Sequence, residues 1–171
     1  MKRSCLVSIF ALIVAQPLGG SIGIDITISK DQGTASTTVS TPAFSTTSGN
    51  ELLLAFISAG GVSSPDTTVT QVAGGGLTWV LVERTNVQKG TAEIWRAFAP
   101  SALSGVTVTA TLSQITVMSF RGVNTSGTNG SGAIGAAGSG NNNPGAPTAT
   151  LVTKGNGSLV LGVGNDHAST T

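Results

Sequence analysis

The segment Gly49 to Ser58 constrains the fold more than any other part of the chain, because a Gly-Asn pair leads directly into an apolar run. The run is too short to stand as a helix and is bounded by Gly60 and Gly61, which is typical of a fully buried strand. A weaker copy of the pattern, Gly155 to Gly164, lies near the other end. We therefore predict that the two runs form the two central strands of one β-sandwich.

Several other segments alternate apolar and polar residues with the period of a strand that buries one face. Ile22 to Ser29 and Val106 to Leu112 are the clearest. Gln114 to Phe120 follows so closely on the second of these that we predict a tight hairpin between them. Leu77 to Arg84 and Thr91 to Phe98 predict another hairpin. The patterns indicate an all-β chain, an antiparallel two-sheet β-sandwich of the jelly-roll or Ig-like type.

The composition supports a chain of short strands and indicates one long connection. Charged residues make up 9% of the chain, against about 25% in average proteins, and uncharged small polar residues take their place. Residues 123–146 are almost entirely Gly, Asn, Ser, Ala and Thr, so we predict an exposed internal linker between two halves of the sandwich. Few residues follow the second Gly-Asn pair, and we expect the sandwich to be truncated at its C-terminal end.

Residues 1–23 have the pattern of a secretory signal peptide. Lys2 and Arg3 precede an apolar stretch, Cys5 to Ala15, that is too short to span a bilayer as a helix. We expect cleavage at or before Gly23, which leaves a single secreted or cell-surface domain over residues 24–171. The alternative is an uncleaved membrane anchor, which the small residues before the domain argue against.

The charge balance bears on possible partners. Without the two basic residues of the signal, the chain keeps six of its eight basic residues against seven acidic ones. No basic patch of the kind that neutralises phosphates is present in the sequence, so we predict no nucleic-acid partner.

Four stretches of the chain resemble a widespread class of exported bacterial β-sandwich domains that mostly lack an assigned activity. The stretches are Gly49 to Gly61, Leu77 to Val82, Gly90 to Ala97 and Val117 to Val123. Such domains occur alone or inside large surface proteins, often beside fibronectin-like or Ig-like modules. The resemblance covers roughly residues 22–166 and implies a jelly-roll or Ig-like sandwich in an extracellular setting. It implies no catalytic residues, because the class has no agreed motif.

Catalytic chemistry finds little support in the residue content. The single histidine, His167, lies in a polar terminal segment, and the chain has no Gly-x-Ser-x-Gly motif ahead of a helix for a serine nucleophile. A carboxylate pair for glycoside cleavage would have to come from Glu51, Glu83 and Glu93, whose positions suit ordinary structural roles. We therefore predict no catalytic residue, no enzyme activity and no cofactor.

Metal binding is disfavoured as well. Zinc needs several His or Cys ligands, and the domain after the signal has one candidate. Calcium could use loop aspartates, but no Asp-x-Asp-x-Asp loop exists, so we predict no metal site. The aspartates considered are Asp25, Asp31, Asp66 and Asp166.

Sugar binding on an aromatic platform is the specific ligand-binding function that the sequence suggests. Trp79 and Trp95, with Arg96 beside them, form a candidate ligand-binding set if the indole rings point outward; burial in the core is the favoured alternative for both tryptophans. In the hairpin we predict a register that keeps Glu83 from facing Glu93. It places Arg84 near Thr91 and Trp79 near Arg96, where ring and guanidinium can stack.

These inferences lead to one functional prediction and one alternative. We predict a non-catalytic structural or adhesive module of an exported bacterial surface or secreted protein. The alternative is a carbohydrate-binding module that uses exposed tryptophans. The expected partners are an extracellular glycan or other surface proteins, and no membrane contact is expected once the signal has been removed.

Overall fold

The computed structural model describes residues 7–14, 21–32, 37–60, 68–87, 89–111, 114–142 and 146–166. Across these ranges every regular element is a β-strand except one short 3-10 helix, which confirms the all-β prediction. The strands are β1 (Val7–Val14), β2 (Gly23–Asp31), β3 (Thr38–Ser40), β4 (Glu51–Ala59), β5 (Val72–Gly74), β6 (Val80–Thr85), β7 (Thr91–Ala99), β8 (Val108–Thr111), β9 (Gln114–Arg121), β10 (Ile134–Asn141), β11 (Leu159–Leu161) and β12 (Gly164–Asp166), and the 3-10 helix is Ser131–Ala133.

The strands form three sheets, and all of their pairings are antiparallel. A five-stranded sheet, ordered β2-β9-β4-β7-β6, packs against a three-stranded sheet, ordered β3-β8-β5. Its other face packs against a four-stranded sheet in which β1 lies between β10 on one side and β11 and β12 on the other. The facing five- and three-stranded sheets agree with the predicted sandwich, and the third sheet was not predicted.

Two hydrophobic cores result, one on each face of the five-stranded sheet. The first core lies against the three-stranded sheet and the second against the four-stranded sheet. The first core contains Val39, Leu53, Ala55, Ile57, Val72, Ala97, Val108, Ala110 and Val117, among others. The second contains Leu52, Leu54, Phe56, Ala92, Ile94, Phe120, Val123 and Ala133.

The position of β4 between the two cores explains why its sequence is apolar without interruption. Alternate side chains of a strand point to opposite faces, and each face of β4 meets a core: Leu53 enters the first core and Leu54 the second. β4 lies between β9 and β7, so its predicted central position is confirmed. The Gly-Asn turn before it is required locally, because Asn50 has φ 57° and a Cβ on Gly49 would lie 2.6 Å from the Pro100 carbonyl oxygen.

The second Gly-Asn run does not form a central strand, so that prediction is wrong. It yields the three-residue strand β11, which pairs with β1 and with no other strand of the described residues. Leu159 and Leu161 pack on the second core, whereas Val160 between them is 52% exposed. The run therefore has one apolar face, while β4 has two.

Residues 123–146 are not an exposed linker through their length. Val123 and Ala133 are buried, and residues 134–141 form β10 against β1. Strand pairing uses backbone groups, so a Gly- and Ala-rich segment can form a ladder when its neighbours supply the apolar side chains. Close packing also needs small residues here, because a Cβ on Gly140 would lie 2.1 Å from the Thr148 carbonyl oxygen.

The predicted tight hairpin between the strands now called β8 and β9 is also wrong. β8 pairs with β3 and β5, while β9 pairs with β2 and β4, so the two strands belong to different sheets. Both strands alternate apolar and polar residues, and alternation alone does not say which sheet a strand joins.

Most of the apolar stretch of the predicted signal peptide forms β1 in the uncleaved chain. β1 is the central strand of the four-stranded sheet and pairs with three others. Cleavage of this segment on export stays a prediction.

Candidate functional site

A groove of about 440 Å³ lies on the second-core face of the five-stranded sheet, over β2, β9 and β4. The main contacts of the third sheet are with β4, β6 and β7, and its residues 161–164 border the groove on one side. The groove is lined by Ser29, Lys30, Asp31, Phe56, Ser58, Gln114, Ile115, Thr116, Met118, Leu161, Gly162, Val163 and Gly164.

The floor of the groove carries a row of hydroxyl and amide groups supplied by neighbouring strands. Ser29 faces Thr116 across the β2–β9 pair, and their hydroxyl oxygens are 3.0 Å apart. Two residues further along, Gln114 lies between Asp31 and Ser58 in register. These side chains share one face because strand residues two apart point the same way.

The walls of the groove are apolar and its charges balance. Leu161, the last residue of β11, and Val163, which lies between β11 and β12, pack in the second-core cluster with Phe56 and Met118, and all four line the groove. Lys30 and Asp31 are the two charged residues in the lining, one of each sign. Such a surface offers hydrogen bonds and apolar contact to an uncharged polar ligand, and it holds a single carboxylate.

The segment beside the groove is fixed by Asn165. Its side-chain amide donates to the Ala59 carbonyl oxygen at 3.1 Å, and its oxygen accepts from the Ser58 hydroxyl at 3.3 Å. β12 is thereby tied to the end of β4 beside the groove.

The candidate ligand-binding residues Trp79, Trp95 and Arg96 do not come together. Trp79 is 9% exposed in the first core and donates its indole N–H to the Gly74 carbonyl oxygen at 3.2 Å. Trp95 is half-buried against the same core. Arg96 lies on the opposite face, where its Nε donates to the Asn129 carbonyl oxygen at 3.1 Å and where burial lowers the pKa of the guanidinium. A shared sugar platform of these three residues is not formed; ligand binding by any of them stays a prediction.

The predicted register of the β6–β7 hairpin is wrong, because Arg84 faces Glu93 instead of Thr91 and Val80, not Trp79, faces Arg96. The part of the prediction that is confirmed is the separation of Glu83 from Glu93. Glu83 faces Ile94, and Glu93 faces Arg84, so the two glutamates are not opposed. A bulge after Leu81 shifts the ladder and makes this pairing possible. The predicted stacking of tryptophan on Arg96 is wrong, since those side chains occupy opposite faces.

Glu93 is fully buried and its carboxylate is saturated with donors. Arg84 binds it through two nitrogens, Nε to Oε1 at 2.8 Å and Nη2 to Oε2 at 3.0 Å. Oε1 also accepts from the Val69 backbone N–H and the Thr91 hydroxyl, and Oε2 accepts from the Trp95 indole at 2.8 Å. Five donors surround a single side chain, which is the arrangement of a structural ion pair.

Glu51 is also fully buried but has a different environment. The Ser48 hydroxyl donates to its Oε1 at 2.6 Å, while Oε2 has no partner among the described residues. The Asp25 carboxylate lies beside it. Hydrogen bonds from the Thr47 side chain and backbone, and then the nearby Arg121, lower the pKa of Asp25 below its ordinary value.

The other acidic and histidine candidates are dispersed. Asp31 lies at the rim of the groove, and Asp166 ends β12. Asp66 and His167 fall outside the described residues. Within the part of the chain that the structure describes, no three His, Cys, Asp or Glu side chains gather as metal ligands.

Comparison with known proteins adds no family to this picture. No protein-family model, curated protein or solved structure matches the chain. Among the described residues, no helix has the length and apolar character needed to cross a membrane.

Sequence reasoning missed the groove. Ser29 and Thr116 are polar positions of two predicted strands, and the sequence pattern does not place them side by side. The alternating pattern identifies such residues, but β2 and β9 are far apart in the chain, and only their pairing brings the hydroxyls together.

Proposed function

We propose that the chain is a non-catalytic adhesive module of an exported surface or secreted protein, and that it contacts its partner through the groove over β2, β9 and β4. The observation that supports this is the combination of a polar floor, apolar walls and balanced charge in one concave surface. The facing five- and three-stranded sheets, with the chain crossing between them from β8 to β9, fit a jelly-roll or Ig-like sandwich.

The acidic side chains support a binding role over a hydrolytic one. Glycoside cleavage needs two carboxylates on either side of the scissile bond. The lining holds Asp31 alone, and the Glu93 carboxylate is fully engaged by its five donors.

The test uses a substitution that fills the groove and a matched substitution elsewhere. Thr116→Arg places a long charged side chain on the groove floor, whereas Thr109→Arg places the same side chain on the outer face of the three-stranded sheet. Arrays of immobilised glycans and extracellular proteins serve as the probe. We expect the groove variant to lose at least about tenfold in affinity for the bound targets and the control variant to keep it.

Two results would contradict the proposal. Equal binding by both arginine variants would show that the partner does not bind in the groove. Release of new reducing ends from bound glycans by the unmodified protein, which heat-treated protein does not cause, would make the chain an enzyme.

Carbohydrate binding is the second candidate, now at the groove. Its hydroxyl and amide floor beside Phe56 and Met118 has the mixture of polar and apolar groups that contacts sugar rings. Binding confined to glycans on the array would favour this candidate, and binding confined to proteins would exclude it.

Export is tested separately, by locating the chain in fractionated cells and measuring the mass of its N-terminal peptide. A chain that begins between residues 15 and 24 outside the cytoplasm is the expected result. An intact N-terminus inside the cell would contradict it.

A further inference from the structure

We propose that β10 and the β11–β12 segment form an acceptor slot for one extended strand, which Val7–Val14 fills in the uncleaved chain and an apolar strand of another polypeptide fills once export has removed that segment. The proposal rests on the export proposed above. Its starting point is a conflict between two observations: the segment with the pattern of a removable signal is also the central strand of a sheet.

The slot is defined by pairing on both sides. Residues 8–14 of β1 pair antiparallel with β10. On the other side, residues 7–9 pair with β12 and residues 12–14 with β11. Because neighbouring strands lie about 4.8 Å apart, the two walls are separated by about 9.6 Å and cannot pair with each other while this spacing holds. Removing β1 therefore leaves two rows of unpaired backbone groups that face one gap.

Contacts that do not involve β1 hold the wall formed by β11 and β12. Leu159 and Leu161 pack on the second core. Asn165 binds the Ala59 carbonyl and the Ser58 hydroxyl of β4. A Cβ on Gly90 would lie 2.2 Å from the Asn165 side-chain nitrogen, which shows how closely this part of β12 is packed.

The opposite wall is also held independently. Ile134, the first residue of β10, packs on the second core beside the buried Ala133. The turn before it is fixed by the bond from Arg96 to the Asn129 carbonyl. Thr148 lies against Gly140 near the other end of the strand. Both walls thus keep anchors on the rest of the fold after β1 has gone.

The composition of the walls indicates what the slot accepts. β10 is Ile-Gly-Ala-Ala-Gly-Ser-Gly-Asn, a strand of small residues, so an apolar strand must come from its partner. The present occupant, Val-Ser-Ile-Phe-Ala-Leu-Ile-Val, has eight residues and is rich in β-forming side chains. An incoming strand of the same kind would gain main-chain hydrogen bonds on both edges, as in strand addition between proteins.

The experiment keeps the full chain and opens it after folding. A specific protease site is placed within residues 15–20, the purified protein is cut, and a fluorescent peptide of residues 2–14 is added; Lys2 and Arg3 keep the peptide soluble. The matched control peptide carries Leu12→Pro, because Leu12 pairs with Ala137 on one side and Leu161 on the other. Fluorescence anisotropy reports binding.

We expect saturable uptake of the unmodified peptide and binding by the proline peptide that is weaker by at least about tenfold. If the cut protein precipitates, the unmodified peptide added before cutting should keep it in solution and the proline peptide should not. Equal behaviour of the two peptides, no uptake, or stable dimers of the cut protein that exclude the peptide would overturn the proposal. A retained N-terminus in cells would instead contradict the export on which it rests, without affecting the peptide result.

Discussion

Two buried glutamates stand at opposite ends of the β4–β7 ladder, and their surroundings differ sharply. Glu51 faces Ala99 and Glu93 faces Ile57, so both border the first core. Glu93 receives five hydrogen bonds, including a two-nitrogen bond from Arg84, whereas Glu51 receives one from Ser48 and keeps an oxygen without a partner among the described residues.

The comparison shows that burial alone does not define the role of a carboxylate. The Glu93 network joins β6, β7 and the chain segment at Val69, whose carbonyl also accepts from Arg84 at 2.9 Å. The network thus connects three parts of the fold by hydrogen bonds. Glu51 has one donor and makes no comparable connection, and we expect the burial of its poorly bonded carboxyl group to cost stability.

The largest expected effect is that of Glu93→Gln. The amide replaces one acceptor oxygen by a donor, so buried N–H groups face an N–H group and Arg84 loses its counter-charge; Arg84 itself is 27% exposed. We expect a loss of about 3 kcal/mol in the free energy of unfolding, measured by urea denaturation. Glu83→Gln, on the neighbouring strand and half-buried, is the control and should change it by less than about 0.5 kcal/mol. Similar losses in both would mean that the network contributes little.

A second prediction compares the loss of one hydroxyl donor at each glutamate. Ser48→Ala removes the one donor that Glu51 has among the described residues, and we expect it to cost about 2 kcal/mol. Thr91→Val removes one of five donors to Glu93 and should cost about 1 kcal/mol. The free energy of unfolding is measured for both under the same conditions, and the reverse order would contradict the comparison.

Replacement of the Glu51 carboxyl group should change the free energy of unfolding in the opposite direction to Glu93→Gln. Glu51→Gln replaces the buried carboxyl group by an amide, whose N–H can donate to the Asp25 carboxylate beside it. We expect unfolding free energy to rise by about 1 kcal/mol, or to stay unchanged. A loss of unfolding free energy as large as that expected for Glu93→Gln would show that the Glu51 carboxyl group is also essential for stability.

The smallest expected effect is the contribution of Asp25 to stability at acidic pH. The pKa of Asp25 is below 3.8 in the folded chain, mainly because Thr47 donates to it. A group with a lowered folded pKa contributes stability above its unfolded pKa and loses that contribution as the pH falls through the folded pKa. Asp25→Asn should therefore be less stable than the unmodified chain near neutral pH, and the difference should shrink below about pH 3. Urea midpoints at several pH values measure it, and a difference that grows in acid would contradict the assignment.

Several strands could be predicted from the sequence, whereas the groove over β2, β9 and β4 could not. The apolar run at β4 and the hairpin of β6 and β7 were predicted because turn residues and side-chain period are local signals. The placement of β8 and β9 in two different sheets was not predicted, because the two strands have similar patterns of apolar and polar residues. Trp79 was placed near Arg96 by a register chosen to keep Glu83 from Glu93. In the structure Val80 faces Arg96, so strand alternation puts Trp79 and Arg96 on opposite faces.

The amino-acid sequence by itself determined that this protein is built from strands, since alternating apolar residues and Gly-Asn turns act within a few neighbouring positions. The tertiary structure decided which strands share a sheet, which glutamate acquires an arginine, and how polar residues of β2, β9 and β4 line one groove. Those outcomes depend on pairing between segments that are distant in the chain, where register and layer order place side chains that no local pattern brings together.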